Sequence, residues 1–326
     1  MKRVNILILS VSRRTDIPAF YLDWFINRIK EGYVYVRNPM NYNMVSKINL
    51  SPEVIDCIVF WTKDPTNFLR KIDEFKDYNY YFQITITPYG KDIERNLGDK
   101  KEIINSFIEL SDRIGKEKVI WRYDPIIITD NMDIEYHKEE FKKLAEMLSD
   151  YTDVCVISFL DIYSKTQRNM KAINPTIITE EQMYAIAEEL NKIAKEHSLT
   201  LKTCSERIDL TSLGIEHSKC IDDELISTIL GEKLDIKKDK NQREECGCVE
   251  SIDIGVYNTC RHGCLYCYAN FSQVAVNNSI KKYDVNSPFL CGKEEKDDKV
   301  IERKMKSYRR KSVQISMFDG IDIGEK

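Results

Sequence analysis

Short apolar runs alternate with charged, amphipathic stretches between residues 6 and 203, and this alternation restricts the fold more than any other feature. The runs are almost continuously apolar, as is typical of strands buried on both faces of a parallel sheet. They span residues 6–11, 33–36, 57–61, 80–87, 119–123, 154–160 and 199–203. Helices are predicted for the stretches 65–75, 101–114, 136–148 and 180–196. The sequence therefore predicts repeated parallel β/α units.

The number of units favours an α/β fold built as a full or partial TIM-like (β/α) barrel. A doubly wound sheet is the alternative, but no glycine-rich phosphate-binding turn follows the first apolar run. We divide the chain into a β/α barrel core (residues 1–230), a cysteine-rich segment that completes the barrel (231–280) and a polar, basic tail (281–326). The tail is expected to attach only loosely to the rest.

The composition indicates a folded protein with metal-binding cysteines and gives no sign of a membrane protein. Hydrophobic residues make up 42% of the 326 residues, enough for a sizeable core, and the net charge of −4 provides no general basic field for nucleic acid. The apolar segment 4–11 is too short for a signal sequence or a membrane span, so we expect a cytoplasmic protein without membrane association. Ten cysteines in a reducing compartment indicate metal ligation rather than disulfides.

Charged or turn-forming residues follow the apolar runs. The C-terminal ends of the strands form the catalytic face of a β/α barrel, so these residues are expected to meet at one mouth. We predict that Lys63, Arg122 and Asp124 line this mouth. An ordinary salt-bridged rim is the alternative, because X-Pro steps also end strands.

Three cysteines near the C-terminus, Cys260, Cys264 and Cys267, have the spacing C-x3-C-x2-C. Zinc fingers and ferredoxins normally close their sites with a fourth protein ligand, whereas three thiolates leave one iron of a 4Fe–4S cluster open. The alternative is a structural zinc knuckle that Cys246 or Cys248 completes.

The segment 256–269, with Tyr266 just before the third cysteine, closely resembles the cluster loop of radical S-adenosylmethionine (radical SAM) enzymes, in particular the spore photoproduct lyase-like branch. The resemblance implies that the three cysteines hold a 4Fe–4S cluster whose fourth iron chelates the amino and carboxylate groups of S-adenosylmethionine. It also implies reductive cleavage of that cofactor and a flavodoxin- or ferredoxin-like electron donor.

The resemblance also implies roles for other residues. The loop backbone near Tyr266 would contact adenine, and Thr15 and Asp16 would bind the methionine amino group. Lys63, Arg122 and Asp124 would meet the cofactor carboxylate, the ribose or the substrate. His262 is expected to shape the turn of the loop rather than to bind iron.

The order of these parts differs from that of most radical SAM enzymes, in which the cysteine loop follows the first strand. The segments 12–18, 61–73, 83–87 and 122–128 resemble the later elements of the lyase-like branch in their usual order. A circular permutation accounts for this order, with residues 252–257 as the first strand and 6–11 as the second. We expect a helix at 264–277.

A second group of cysteines lies at a strand end, in the following loop and before the cluster strand. These four could bind an auxiliary iron–sulfur cluster or a zinc ion, and buried unliganded thiols are the alternative. They are Cys204, Cys220, Cys246 and Cys248. Cys57 and Cys155 lie in apolar runs and are predicted to belong to the core, and Cys291 is predicted to be free.

The tail segment 314–318, from Gln314 to Phe318, resembles the short peptide by which bacterial replication and repair proteins bind the DNA sliding clamp. Its apolar anchors suit a hydrophobic groove. Together with the lyase-like core, the segment favours DNA or a nucleotide as the substrate. Two other functions remain open: a radical SAM enzyme that acts on a peptide or small metabolite, and a non-catalytic, metal-stabilised nucleic-acid-binding protein.

Overall fold

The computed structural model describes residues 7–161 and 167–303, and its centre is an eight-stranded parallel sheet with the order β10-β1-β4-β5-β6-β7-β8-β9. A second sheet has three strands in the order β11-β3-β2. The strands are β1 (Leu7–Val11), β2 (Tyr33–Arg37), β3 (Met44–Asn49), β4 (Ile55–Thr62), β5 (Tyr80–Thr85), β6 (Val119–Ile126), β7 (Val154–Phe159), β8 (Thr200–Thr203), β9 (Glu216–His217), β10 (Ile252–Asp253) and β11 (Lys299–Glu302). The predicted α/β class is confirmed.

The α-helices are α1 (Ile17–Phe20), α2 (Leu22–Glu31), α3 (Thr66–Leu69), α4 (Lys100–Ile114), α5 (Ile134–Leu148), α6 (Gln167–Met170), α7 (Glu180–Glu196), α8 (Asp223–Leu230) and α9 (Gln273–Ile280). Of the α-helices in the described ranges, all except α9 lie between strands of the large sheet in sequence. Capping residues mark the N-termini of the three longest helices. Asp99 and Asp133 cap α4 and α5, and Thr179 and Gln182 form a capping box at α7. No helix in the described ranges has the length and apolar character needed to cross a bilayer.

Two sequence predictions about secondary structure are wrong. The run 33–36 forms β2, but β2 pairs antiparallel with β3 outside the large sheet, because an apolar run does not encode its partner. The helix expected at 264–277 begins only at Gln273, where the Ser272 hydroxyl accepts a hydrogen bond from the backbone N–H of Ala275 at 3.2 Å. The preceding residues form the cysteine loop instead.

The segment that follows α9 is more firmly attached than predicted. β11 pairs in parallel with β3, Leu290 is buried, and the indole N–H of Trp24 donates to the carbonyl of Ser287 at 2.9 Å. Loose attachment is therefore wrong for the tail as far as residue 303. The clamp-like segment, including Gln314 and Phe318, lies outside the described residues.

A buried histidine gives the fold a dependence on pH. His137 Nε2 donates to the carbonyl of Ile127 at 2.9 Å, and Nδ1 accepts from the Tyr123 hydroxyl at 2.8 Å. Burial lowers the pKa of His137 below its usual value, although the carboxylates of Asp133 and Glu140 oppose this shift. The folded state therefore favours the neutral ring.

We expect the stabilisation from His137 to be complete above about pH 6.5 and to be lost as the pH falls toward the lowered folded-state pKa. Urea unfolding at pH 7.5 and 5.5 measures this loss. A His137→Gln variant should be less stable at pH 7.5 and should lose less stability on acidification than the unsubstituted chain. Parallel losses in the two proteins would contradict the assignment.

Candidate functional site

The strand that precedes the cysteine loop is held beside the first strand of the chain. β10 lies parallel to β1, as the permuted order predicts. The buried carboxylate of Asp253 accepts hydrogen bonds from the hydroxyls of Ser10 (2.6 Å) and Ser12 (2.9 Å) and from the backbone N–H of Arg13 (2.8 Å). Gly255 permits this contact, because a Cβ there would lie 1.9 Å from the Ser12 hydroxyl.

A second contact fixes the loop itself. His262 Nε2 lies 2.7 Å from Asp16 Oδ2, and the imidazole packs against Phe20 with ring centroids 4.6 Å apart. Asp16 also caps α1 by accepting from the N–H of Ala19 and accepts from the N–H of Lys63 at 2.8 Å. Both carboxylate oxygens are therefore engaged, so Asp16 anchors the loop, and its contact with the methionine amino group stays a prediction. His262 shapes the turn, as predicted.

A buried glutamate organises the other side of the loop. Glu94 accepts from Lys63 Nζ at 2.7 Å, lies 2.9 Å from Lys100 Nζ, and accepts from the hydroxyls of Thr87 and Tyr266. Burial alone would raise the pKa of Glu94, but Lys63 and Lys100 outweigh it and lower the pKa to about 2. Glu94 is therefore ionised at neutral pH and holds both lysines.

Two residues have roles that sequence reasoning did not assign. Lys63 lines the cavity and its ammonium group forms a buried ion pair with Glu94, while its contact with the cofactor or substrate stays a prediction. Glu94 itself was missed because it lies in the loop between β5 and α4, outside every motif. The run 91–100 carries three acidic residues, Asp92, Glu94 and Asp99, as a surface loop also would, so the sequence does not single out Glu94.

Every predicted site residue lines a single cavity of about 460 Å³ at the C-terminal edge of the large sheet. The volume lies within the usual range of small-molecule sites. The residues are Thr15, Asp16, Lys63, Arg122, Asp124, Cys204, Cys220, Cys246, Cys248, Cys260, Cys264, Tyr266 and Cys267. Thr15 differs from the others, because its buried hydroxyl has no hydrogen-bond partner within the described residues. Such a hydroxyl is available to a ligand.

The three loop cysteines face this cavity together. Burial raises the pKa of Cys260, Cys264 and Cys267, and the charge of Cys267 raises the pKa of the other two further. A metal that binds here must displace the protons from these thiols. Among the described side chains, no group of three or more His, Cys, Asp or Glu residues is arranged to hold a metal ion as it stands. Binding therefore requires the sulfurs to rotate toward a common centre.

The second group of cysteines lies on the opposite wall. Cys204 and Cys220 have their sulfurs 3.2 Å apart, and Cys248 accepts a hydrogen bond from the N–H of Ile221. The sulfurs of Cys246 and Cys248 interact with each other, and Cys248 also interacts with Cys220. The hydrogen bond from Cys248 lowers the pKa of Cys246 to about 7.

A buried arginine connects this group to the mouth of the cavity. Arg122 donates to the Cys220 sulfur at 3.0 Å and to Gln83 Oε1 at 3.1 Å, and it makes a two-point ion pair with Asp124. Arg122 and Asp124 thus lie where the sequence predicts, but each is the principal partner of the other. Glu206, another strand-end residue, accepts from the N–H of Phe159 at 2.8 Å, and burial raises the pKa of Glu206 to about 7.

Comparison with known proteins assigns the chain to a family. Residues 8–269 match the family model described as a domain of unknown function, DUF1848. The chain belongs to the DUF1848 family. The match includes both the sheet and the cysteine loop of this DUF1848 protein. No curated protein matches the sequence.

Two solved structures are similar to the DUF1848 chain at 10% sequence identity. One is a protein described as an α-L-fucosidase from Bacteroides thetaiotaomicron, with a TM-score of 0.29 over 70% of this chain and 94% of that one. The other is the carboxyl transferase domain of Rhizobium etli pyruvate carboxylase with pyruvate, with a TM-score of 0.26 over 69% and 41%. Neither likeness carries an argument about fold or activity.

Proposed function

We propose that this DUF1848 protein is a radical SAM enzyme, which holds a 4Fe–4S cluster on Cys260, Cys264 and Cys267 and cleaves S-adenosylmethionine reductively. The observation that carries the proposal is the convergence of these three cysteines on one cavity with the other residues that the resemblance implies. The cysteines that would complete a zinc knuckle, Cys246 and Cys248, interact instead with each other and with Cys220. This grouping favours an open corner on the cluster.

The chemistry of the donor set fits the proposed group. Three thiolates match three irons, and the cluster with its bound cofactor would supply the electron transfer that cleaves the sulfonium. The unpartnered hydroxyl of Thr15 is a suitable acceptor for the cofactor ammonium group. The contacts of Asp16 and Glu94 hold the loop in place, so these two residues act as positioning residues.

The permuted TIM-like barrel is part of this proposal. From β1 and β4 through β9, each strand of the large sheet neighbours the next one in the chain, without the reversal of order that marks a doubly wound sheet. β10 precedes β1 in the sheet although it follows every other strand of that sheet in sequence. β10, which covers only Ile252–Asp253 of the strand expected at 252–257, would thus be the first strand of a full or partial barrel.

The substrate that the mouth favours is a nucleotide or a strand of nucleic acid. Arg13, Arg14 and Trp61 line the cavity; the guanidinium of Arg13 lies 6.0 Å from the ring centroid of Trp61, and that of Arg14 lies 5.1 Å from the ring of Tyr257, just outside the lining. Paired cations and rings suit phosphates and bases. Reductive cleavage of the cofactor also requires an external one-electron donor, and a flavodoxin or ferredoxin is suitable.

The test is reductive cleavage of S-adenosylmethionine by the full chain, reconstituted anaerobically with iron and sulfide. We expect a brown protein that forms 5′-deoxyadenosine when dithionite is added, with the rate raised by a single-stranded oligonucleotide. A colourless protein that takes up zinc at the loop and leaves S-adenosylmethionine intact would refute the enzyme and favour a metal-stabilised binding protein. Cleavage without any effect of oligonucleotides would refute only the substrate class.

A further inference from the structure

We infer that Cys204, Cys220, Cys246 and Cys248 form a second metal site, which binds one zinc ion through four thiolates. The site is separate from the loop cysteines, although both line the same cavity. It does not depend on the proposed radical chemistry.

The backbone brings the four sulfurs together from three loops. Cys204 follows β8, Cys220 precedes α8, and Cys246 and Cys248 lie in the loop before β10. Backbone hydrogen bonds join the last two loops: Val249 donates to the carbonyl of Ile221 at 3.2 Å. A single ion would therefore tie together three irregular segments, which is the usual contribution of a structural metal.

The distance between sulfurs favours a single ion over an iron–sulfur cluster. Tetrahedral zinc with Zn–S bonds of about 2.3 Å places its sulfurs about 3.8 Å apart. The sulfurs of Cys204 and Cys220 are 3.2 Å apart, so a modest rotation reaches that separation. A four-iron cluster occupies the space between its thiolates and holds them much farther apart.

Positively charged side chains lie beside such a centre, and Arg122 is shared between it and Asp124. Four thiolates and one divalent ion leave a net charge of −2, and two guanidinium groups lie close by. Arg122 donates directly to the Cys220 sulfur, and the charge of Arg13 interacts with Cys220 and Cys248. Cysteine is the ligand that selects zinc over oxygen-preferring metals.

The remaining wall is apolar and fixed. Ile8, Cys57, Tyr81 and Ile221 belong to the hydrophobic cluster that includes Cys220, Cys246 and Cys248. The Tyr81 hydroxyl donates to the carbonyl of Cys220 at 2.7 Å, which fixes the backbone of that ligand. An apolar shell with an oriented ligand backbone restricts access of water to a bound metal.

The test compares metal content and zinc coordination in four forms of the full chain, purified anaerobically. We expect about one zinc ion per chain in the unsubstituted protein, with four sulfurs at about 2.3 Å in X-ray absorption at the zinc edge. The zinc should persist in a Cys260→Ala/Cys264→Ala/Cys267→Ala variant and be lost in Cys246→Ala/Cys248→Ala. Cys57→Ala, a buried cysteine in the same apolar cluster, is the matched control and should retain the metal.

Three results would overturn the inference. The first is iron and sulfide, without zinc, in the variant that lacks the loop cysteines. The second is a Cys204–Cys220 disulfide, detected by mass after alkylation, in metal-free protein. The third is zinc whose X-ray absorption requires nitrogen or oxygen ligands. The zinc ligands are measured directly in the unsubstituted protein, so misfolding of the Cys246→Ala/Cys248→Ala variant does not decide the outcome. The proposed function is tested separately, by cleavage of S-adenosylmethionine.

Discussion

Replacement of Cys264 with alanine is expected to lower the rate of S-adenosylmethionine cleavage by about 100-fold or more, because loss of outer-shell partners alone weakens metal sites by 10–100-fold. The variant should also bind less iron after reconstitution. Cys264 is half-buried in the loop, so the same substitution at Cys291, which is also half-buried but lies outside the cavity, is the matched control. Iron content, acid-labile sulfide and 5′-deoxyadenosine are measured for all three proteins.

The Cys291→Ala control should retain both iron and activity. If Cys264→Ala and the unsubstituted chain cleaved S-adenosylmethionine at equal rates, the loop cysteines would not take part in the reaction. Urea unfolding of each apo protein separates this outcome from a general loss of structure. Similar midpoints with unequal activity would assign the effect to the metal.

Replacement of Glu94 with glutamine is expected to destabilise the fold by about 3–5 kcal/mol, because breaking a buried ion pair leaves an uncompensated charge. The Glu94 side chain is 1% exposed and that of Lys63 is 11% exposed, so water cannot solvate the lysine that remains. Lys100, the second partner, is more exposed and contributes less to the loss. The free energy of unfolding in urea measures the effect.

Two further variants test the cause. A Glu94→Gln/Lys63→Met double variant should recover part of the lost stability, since it removes the unpaired charge. Glu109→Gln breaks an exposed helical pair with Arg113 and should cost less than about 0.5 kcal/mol. A loss at Glu94 no larger than that at Glu109 would contradict the role assigned to Glu94.

Most of the large sheet could be predicted from the sequence, because its longer strands are largely buried on both faces and mostly apolar. β4 and β7 are examples, with nearly every residue buried or half-buried. β3 was not predicted, because it is not a continuous apolar run. It contains the polar residues Ser46 and Lys47, and only Val45 and Ile48 are buried. Pairing partners depend on tertiary contacts, so β2 was placed in the wrong sheet.

The membership of the candidate site could be predicted better than the roles of its residues. Parallel strands place their C-terminal ends at one edge, so residues such as Thr15 and Arg122 converge whatever their function. The role of each site residue depends on which side chains the fold places beside it. The contacts of Asp16 with His262 and of Lys63 with Glu94 are examples that the sequence did not indicate. No pattern within the sequence indicates that a loop glutamate will be buried between two lysines.

In the proposed enzyme, three thiolates would leave one iron open to S-adenosylmethionine. The electron paramagnetic resonance spectrum of the reconstituted, dithionite-reduced full chain tests this claim most directly when it is recorded with and without the cofactor. We expect a 4Fe–4S signal that changes when S-adenosylmethionine is added and broadens further with cofactor labelled with ¹⁷O at the carboxylate. A cluster signal that is identical in the presence and absence of the cofactor would contradict it.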